Sequence, residues 1–410
     1  MSLKMPEIDA GMIARRPEIV AAMRVLLPEG STSTEEDRLR VHKADGLTAY
    51  GELPLTSAAG EFYATHRAAL VYCLLSNHLG RVRMKFCSAM MLAAALCMGA
   101  AVTYAAEDAV ETHQRNAKDA AGLDFQGTLV RTCIAPVPLN PGGGGGGGGA
   151  QKVPDRSTWY AEPAKVYDNL YFLGTKIHSS WALTTSQGII LIDTLYNYAV
   201  EPEIVDGMKK MGLDPAQVKY VLISHGHGDH DEGANLMQQR YGAKIVMGGP
   251  DWDAIEKTTM PGGTPKRDIV GTDGQKITLG DTTVTIVATP GHTPGTLSFL
   301  FSVKDNGMPA TVAYSGGTAL QVIYRDIAKL NGYSDSEKRF AKLAAAQNAT
   351  ILMSNHSEFD NAYIKARLLA VRKPGEAHPF DVGTEAIARY LTVKSECALA
   401  QAERLKRPNS

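Results

Sequence analysis

A chain of 410 residues has room for two or three domains and at least one sizeable core. Lys and Arg total 42 against 43 for Asp and Glu, and 44% of residues are hydrophobic, so the chain reads as a soluble globular protein. That balance argues against a surface that binds polyanions by bulk charge, and the composition excludes collagen, coiled coil and a polytopic membrane protein.

Residues 1–83 form an atypical leader. A helix is predicted over Ala10–Leu26, ending before Pro28. Residues 1–55, through Asp45-Gly-Leu-Thr-Ala-Tyr50 and Leu53-Pro-Leu55, resemble the N-terminus of FAD-linked glycolate oxidases. No flavin-binding domain follows, so no flavin is expected. The leader is read as a disordered extension or start-site artefact.

Met84 opens a second apparent N-terminus. Arg81, Arg83 and Lys85 flank it, the apolar run Ala89–Ala101 follows, and Thr103 and Ala105 supply small residues at a cleavage site. These are the parts of an export signal over 84–105. The expected location is therefore periplasmic or secreted, with no stable membrane insertion after signal removal. If residues 1–83 are translated, an anchored or unexported form becomes the alternative. Removal through Ala105 leaves two of the five cysteines, Cys133 and Cys397. They either bridge the N-terminal arm to the last helix or remain two buried thiols, which spacing alone does not decide.

The arm, 106–158, holds a polar helix (about Ala109–Ala120), a Pro-rich stretch and the run Gly142–Gly149, which reads as a flexible tether. From Trp159 to 410 strands alternate with helices. Strands are predicted over Lys165–Leu173, Trp181–Thr185, Ile189–Asp193, Val218–Ser224, Ala243–Met247, Lys276–Leu279, Thr282–Ala288, Gly295–Val303, Ala310–Tyr314 and Ile351–Ser354. Helices are predicted over Val200–Met211, Asp231–Arg240, Asp335–Ala346, Asn361–Val371 and Thr384–Leu405. Two strand-rich halves with helices outside give an α/β sandwich of two sheets.

The chemistry concentrates at Ser224-His225-Gly-His227-Gly-Asp229-His230. A hydrophobic strand runs straight into four metal-ligand side chains, and Gly226 and Gly228 let the backbone curl so that they converge. Imidazole nitrogen with one hard carboxylate oxygen suits zinc. His292, in Thr289-Pro-Gly-His-Thr-Pro-Gly295, and His356, in Met353-Ser-Asn-His356, sit at further strand ends.

This pattern, His-x-His-x-Asp-His followed by a Gly-His-Thr turn and a strand-terminal His, resembles the metallo-β-lactamase superfamily over roughly Trp159–Arg404. It is most similar to the third, all-histidine subclass of metallo-β-lactamases. The resemblance implies a four-layer αββα sandwich and two zinc ions, one held by His225, His227 and His292, the other by Asp229, His230 and His356. It implies hydrolysis of the β-lactam amide by a metal-bridging hydroxide that Asp229 orients, with antibiotic resistance as the consequence. Many phosphodiesterases, thioesterases and lactonases of the superfamily place a bridging Asp where this chain has Tyr314-Ser-Gly-Gly-Thr318, and Asp326 is not assigned that role. Hydrolysis of lactones, esters or other amides is the alternative reading. Nucleic acid is not an expected partner, the substrate is a small molecule, and nothing indicates oligomeric state. Candidate supporting residues are Asp193 as a brace or turn cap, Ser315 and Thr318 as contacts for a substrate carboxylate or water, and His178, Trp181 and Tyr196 at the rim. Trp252, in the segment Pro250–Arg267, is a candidate aromatic wall, with a plain surface loop as its alternative.

Overall fold

The computed structural model describes residues 108–133, 153–320 and 323–407; the leader, the export segment and the glycine run lie outside them. Strands β1 (Ala164–Tyr167), β2 (Leu170–Phe172), β3 (Trp181–Thr185), β4 (Gly188–Ile192), β5 (Val218–Leu222), β6 (Lys244–Gly248) and β7 (Ile269–Gly271) form a seven-stranded sheet in chain order. It is antiparallel through β4 and parallel from β4 to β7. Strands β8 (Lys276–Leu279), β9 (Thr282–Ala288), β10 (Leu297–Asp305), β11 (Met308–Ser315) and β12 (Ile351–Ser354) form a second sheet in the order β12-β11-β10-β9-β8. Only its β11–β12 pair is parallel.

Alternation along each strand explains the layers. In β10, Leu297, Phe299, Phe301 and Val303 point into the space between the sheets, while Leu300 faces outward to a helical layer. In β4, Ile190 and Ile192 face inward, and Ile189 and Leu191 face the other helical layer. Strands buried on both faces read as continuous apolar runs, which is why the sequence marks them so clearly. Each such side chain taken from water stabilises the fold by roughly 1.5–3 kcal/mol.

The helices complete the outer layers. They are α1 (Ala109–Ala121), α2 (Gln126–Cys133), α3 (Arg156–Trp159), α4 (Asn197–Ala199), continued by a π-helical segment (Val200–Val205) into α5 (Asp206–Lys210), α6 (Gly228–Asp231), α7 (Ala234–Tyr241), α8 (Gly249–Ile255), α9 (Ile327–Ala346), α10 (Ser357–Asp360), α11 (Ala362–Leu369) and α12 (Thr384–Leu405). Ile204, Met208, Met237, Trp252 and Ile255 cover the seven-stranded sheet. Leu330, Phe340, Tyr390 and Val393 cover the other, joined by Ala117, Ala121 and Phe125 of the arm. The architecture is thus the four-layer αββα sandwich. Cys133, closing α2, is joined by a disulfide to Cys397 in α12. Among the described residues, no helix is long and apolar enough to cross a membrane.

Three predicted elements differ from the structure for identifiable reasons. Lys165–Leu173 is a hairpin rather than one strand, because Asp168-Asn169 turn the chain between β1 and β2. The predicted helix from Asp231 divides at Glu232–Gly233 into α6 and α7. Part of the segment read as a surface loop from Pro250 is α8, with Pro250 near its start, where a missing N–H costs nothing.

Candidate metal centre

The site lies where strand ends of both sheets meet. After β5 the backbone passes through Ile223, whose N–H donates to Val246 of β6, and Ser224, whose carbonyl accepts from Leu297 N–H of the opposite sheet. His225 follows at once and is buried. Its Nδ1 lies 2.9 Å from the Gly316 carbonyl. A carbonyl only accepts, so Nδ1 carries the proton and Nε2 keeps its lone pair. That Nε2 is buried without a hydrogen-bond partner. His292 repeats the device: Nδ1 lies 2.6 Å from the Ala319 carbonyl, and Nε2 lies 3.1 Å from His227 Nδ1. Ligand atoms of His225, His227 and His292 all fall within 4.8 Å of one another.

A second constellation adjoins the first. Asp229 Oδ2 lies 3.2 Å from both His230 Nε2 and His356 Nε2, and those two nitrogens lie 3.2 Å apart. Asp229 and His356 also group with His178, so the side chains gathered around Asp229 are His178, His230 and His356. The electrostatics suit cations. Burial holds His225 well below its usual range, and burial with the neighbouring His227 takes His292 to about 3, so both rings are neutral, as metal ligation requires. His230 differs: burial opposes charge on it, but Asp229 and Asp193 outweigh burial and raise its pKa to about 10, so a metal ion binding there must displace a proton. Burial works to raise the Asp229 carboxyl, yet His230 and its hydrogen-bond partners hold it well below the carboxylate range. An unpartnered buried imidazole nitrogen, converging lone pairs and an ionised carboxylate fit divalent metal ions of zinc's preference.

Supporting residues hold the ligands. Asp193 is a brace: its Oδ1 accepts from Ser224 N–H at 2.7 Å, and its Oδ2 accepts from Ser224 Oγ at 2.9 Å and Tyr314 OH at 2.8 Å. The same Oδ2 lies 3.2 Å from His230 Nδ1. Asp193 takes φ 56°, a left-handed backbone that Asp tolerates better than most residues. Asp251 was not singled out by its sequence context, which is an ordinary Pro-Asp after a strand. Its Oδ2 accepts from Gly226 N–H at 2.8 Å and Thr293 Oγ1 at 2.7 Å, and its Oδ1 accepts from Gly295 N–H at 2.9 Å. One carboxylate thus ties the His225–His230 loop to the His292 loop. Gly226 and Gly228 do not take positive φ. Gly226 is small because a Cβ there would sit 3.1 Å from Asp251 Cβ, so close approach explains it better than backbone freedom.

Other sequence candidates are placed differently. Trp181 is fully buried between the sheets against Phe172 and Phe380, and Trp252 is fully buried with its indole N–H donated to the Ile269 carbonyl. Neither forms a rim, because each sits on an inward-facing position of its element. Ser315 is buried and accepts a hydrogen bond from Lys394 behind the loop, rather than facing substrate. The Thr318 hydroxyl is buried without a hydrogen-bond partner. Asp326 caps α9 by accepting from Lys329 N–H. His178 is drawn deeper than a rim position: its Nε2 lies 3.6 Å from Asp229 Oδ2, and its ring 5.0 Å from that of His356. Backbone pairing of the 177–179 segment with 355–357 puts it there, through Ser179 N–H to the Asn355 carbonyl and Ser357 N–H to the Ile177 carbonyl. Tyr196 stacks edge-on against His178 and continues to Tyr198 as an aromatic shelf.

Comparison with known proteins identifies the family of this fold. Residues 173–306 match the family model of the metallo-beta-lactamase superfamily. The chain covers 93% of a subclass B3 metallo-β-lactamase from Bradyrhizobium japonicum, BJP-1, at 30% identity and a TM-score of 0.51, using 58% of its own length. The chain belongs to the metallo-β-lactamase superfamily. Among curated superfamily relatives, it is 26% identical to a hydroxyacylglutathione hydrolase of Chelativorans sp. over 39% of this chain. It is 38% identical to the N-acyl homoserine lactonase AttM of Agrobacterium fabrum over 25% of this chain. The matches span 65% and 43% of those two relatives' own lengths.

Proposed function

We propose that this superfamily member is a dizinc hydrolase that opens the amide bond of β-lactams. The observation that carries the reading is the donor set: the imidazoles of His225, His227 and His292 in one triad, the Asp229 carboxylate between His230 and His356 beside it with His178 also in reach, and no carboxylate contributed by the Ser315–Thr318 turn. His225, His227 and His292 would hold one ion, and Asp229, His230 and His356 the other. Bound there, zinc supplies a Lewis acid for the carbonyl and a water-derived nucleophile at neutral pH. Asp229, with one oxygen on the second triad, orients the attacking group. Asp193 holds His230 from behind, and Asp251 keeps the two loops in register. The two serines flanking the centre are engaged elsewhere: Ser224 is bonded to Asp193 and Ser315 to Lys394. Likeness to a B3 enzyme across nearly its whole length supports the lactam reading.

The lactonase and thioesterase relatives favour a second reading, hydrolysis of lactones or thioesters at the same centre. The substrate decides between them through loops that fold likeness does not specify. The test is kcat/KM of the zinc-loaded chain on nitrocefin, an N-acyl homoserine lactone and S-lactoylglutathione. Turnover dominated by nitrocefin is expected; turnover confined to either ester substrate would replace the lactam reading with the second. Export to an oxidising compartment is also proposed, and the Cys133–Cys397 disulfide supports it. N-terminal sequencing of protein from the periplasm or medium should begin at Ala106, and a mature form retaining Met84 would overturn the signal assignment.

A further inference from the structure

Helix α12 carries a lysine with no solvent exposure. Lys394 Nζ donates to Ser315 Oγ at 2.6 Å, to the Gly317 carbonyl at 2.7 Å and to Glu337 Oε1 of α9 at 2.8 Å. All three ammonium protons are accounted for. Burial works against both charges, lowering Lys394 and raising Glu337, while each opposes the other's shift. Glu337 Oε2 is buried without a hydrogen-bond partner. An ion pair so placed is poor value for stability, since apolar residues of similar size commonly do as well.

What the lysine grips suggests why it is there. Loop 315–319 is held on one side and used on the other. From the helices, Lys394 takes Ser315 and Gly317, and Tyr333 OH donates to the carbonyls of Gly317 and Thr318 at 3.2 and 2.8 Å. Toward the centre, the Gly316 and Ala319 carbonyls receive the Nδ1 protons of His225 and His292. Asn355 also donates to Gly316, at 2.9 Å. The loop has no metal ligand of its own to tie it to an ion.

We infer that Lys394, paired with Glu337, is the positioning residue of the first metal site, fixing the loop whose carbonyls set the tautomer and aim of His225 and His292. This rests on the reading of His225, His227 and His292 as a zinc site. Partners beyond the ligands typically change metal affinity by about 10–100-fold when lost.

The test is equilibrium zinc binding by the full chain, by competition with a chromophoric chelator, in the parent and in Lys394→Met/Glu337→Leu. Removing both charges avoids stranding either one in the core, so the double variant is expected to fold with a Tm near the parent's. The expected result is zinc affinity about 10–100-fold weaker at one site, with the other, held by Asp229, His230 and His356, unchanged. A folded double variant that binds both ions as tightly as the parent overturns the inference. If the double variant does not fold, Ser315→Ala, which removes a single acceptor, serves in its place. It should weaken the same site alone by a smaller factor, and unchanged affinity overturns the inference. A parent chain that binds no zinc sinks the metal reading as well, whereas a tight-binding variant sinks this inference alone.

Discussion

Asp251 makes three hydrogen bonds across two loops, to Gly226, Thr293 and Gly295, each a neighbour of a candidate ligand in the chain or loop. Its removal leaves Gly226 and Gly295 N–H groups without their acceptor, so the two histidine loops lose their shared anchor. Asp251→Ala is expected to lower kcat/KM by about 10–100-fold while the far-ultraviolet circular dichroism stays parental; unchanged kinetics would remove it from the site's support. Glu203 gives a separate, pH-dependent expectation. Burial raises its carboxyl from an ordinary 4.5 to about 8, only partly offset by the bond from Ala161 N–H. Its folded-state pKa is raised, so its contribution to stability is complete below about 4.5 and is lost as pH rises toward 8. The parent's Tm should therefore fall more between pH 5 and pH 8 than that of Glu203→Gln, and parallel curves would contradict the assignment. At this scale the gathering of His225, His227, Asp229 and His230 was legible in the sequence, since three histidines and an aspartate in six positions have no ordinary explanation. Asp251, Lys394 and the depth of His178 were not. Each is a common residue whose role is defined by partners far away in the chain, such as Lys394 with Ser315.

Strands were the most legible elements, because burial on both faces leaves short apolar runs bounded by turns, as in Ile189–Ile192 and Ile351–Ser354. Helix α12 was read with the same ends as in the structure, Thr384–Leu405, from its apolar stripe. Helix α8 was not read, because Gly249-Pro250 resembles a turn when its packing on β6 is unknown. Strand β7 has three residues, too few for a periodic signal, and its pairing with β6 defines it. The link between β11 and α9 carries a sharper constraint. A Cβ on Gly316 would collide with the Leu297 carbonyl of β10, which is backbone and cannot move aside. Gly316→Ala is expected to displace the carbonyl that orients His225, with loss of zinc at that site together with a lowered Tm. Parental Tm and zinc content would show that the sheet yields there.

For the whole molecule, the two-sheet architecture was legible from the succession of strands and helices, but the place of the arm was not. Helices α1 and α2 share the apolar layer of α9 and α12, and the disulfide spans 264 residues from Cys133 to Cys397. Such a closure restricts the unfolded chain strongly, so reduction or Cys133→Ser/Cys397→Ser should cost about 2–5 kcal/mol in chemical denaturation. An unchanged midpoint would mean that helix packing alone holds the arm. The disulfide enters α12 three residues beyond Lys394, so the arm and the loop behind the centre are fastened to the same helix.

The central claim is that six side chains from three loops hold two metal ions, and zinc stoichiometry tests it most directly. Protein stripped with a chelator, reloaded and freed of excess zinc by gel filtration should carry two ions per chain by elemental analysis. His292→Ala should carry one, retained by Asp229, His230 and His356. A parent chain that retains one ion or none, or a His292→Ala variant that still retains two, would contradict the account.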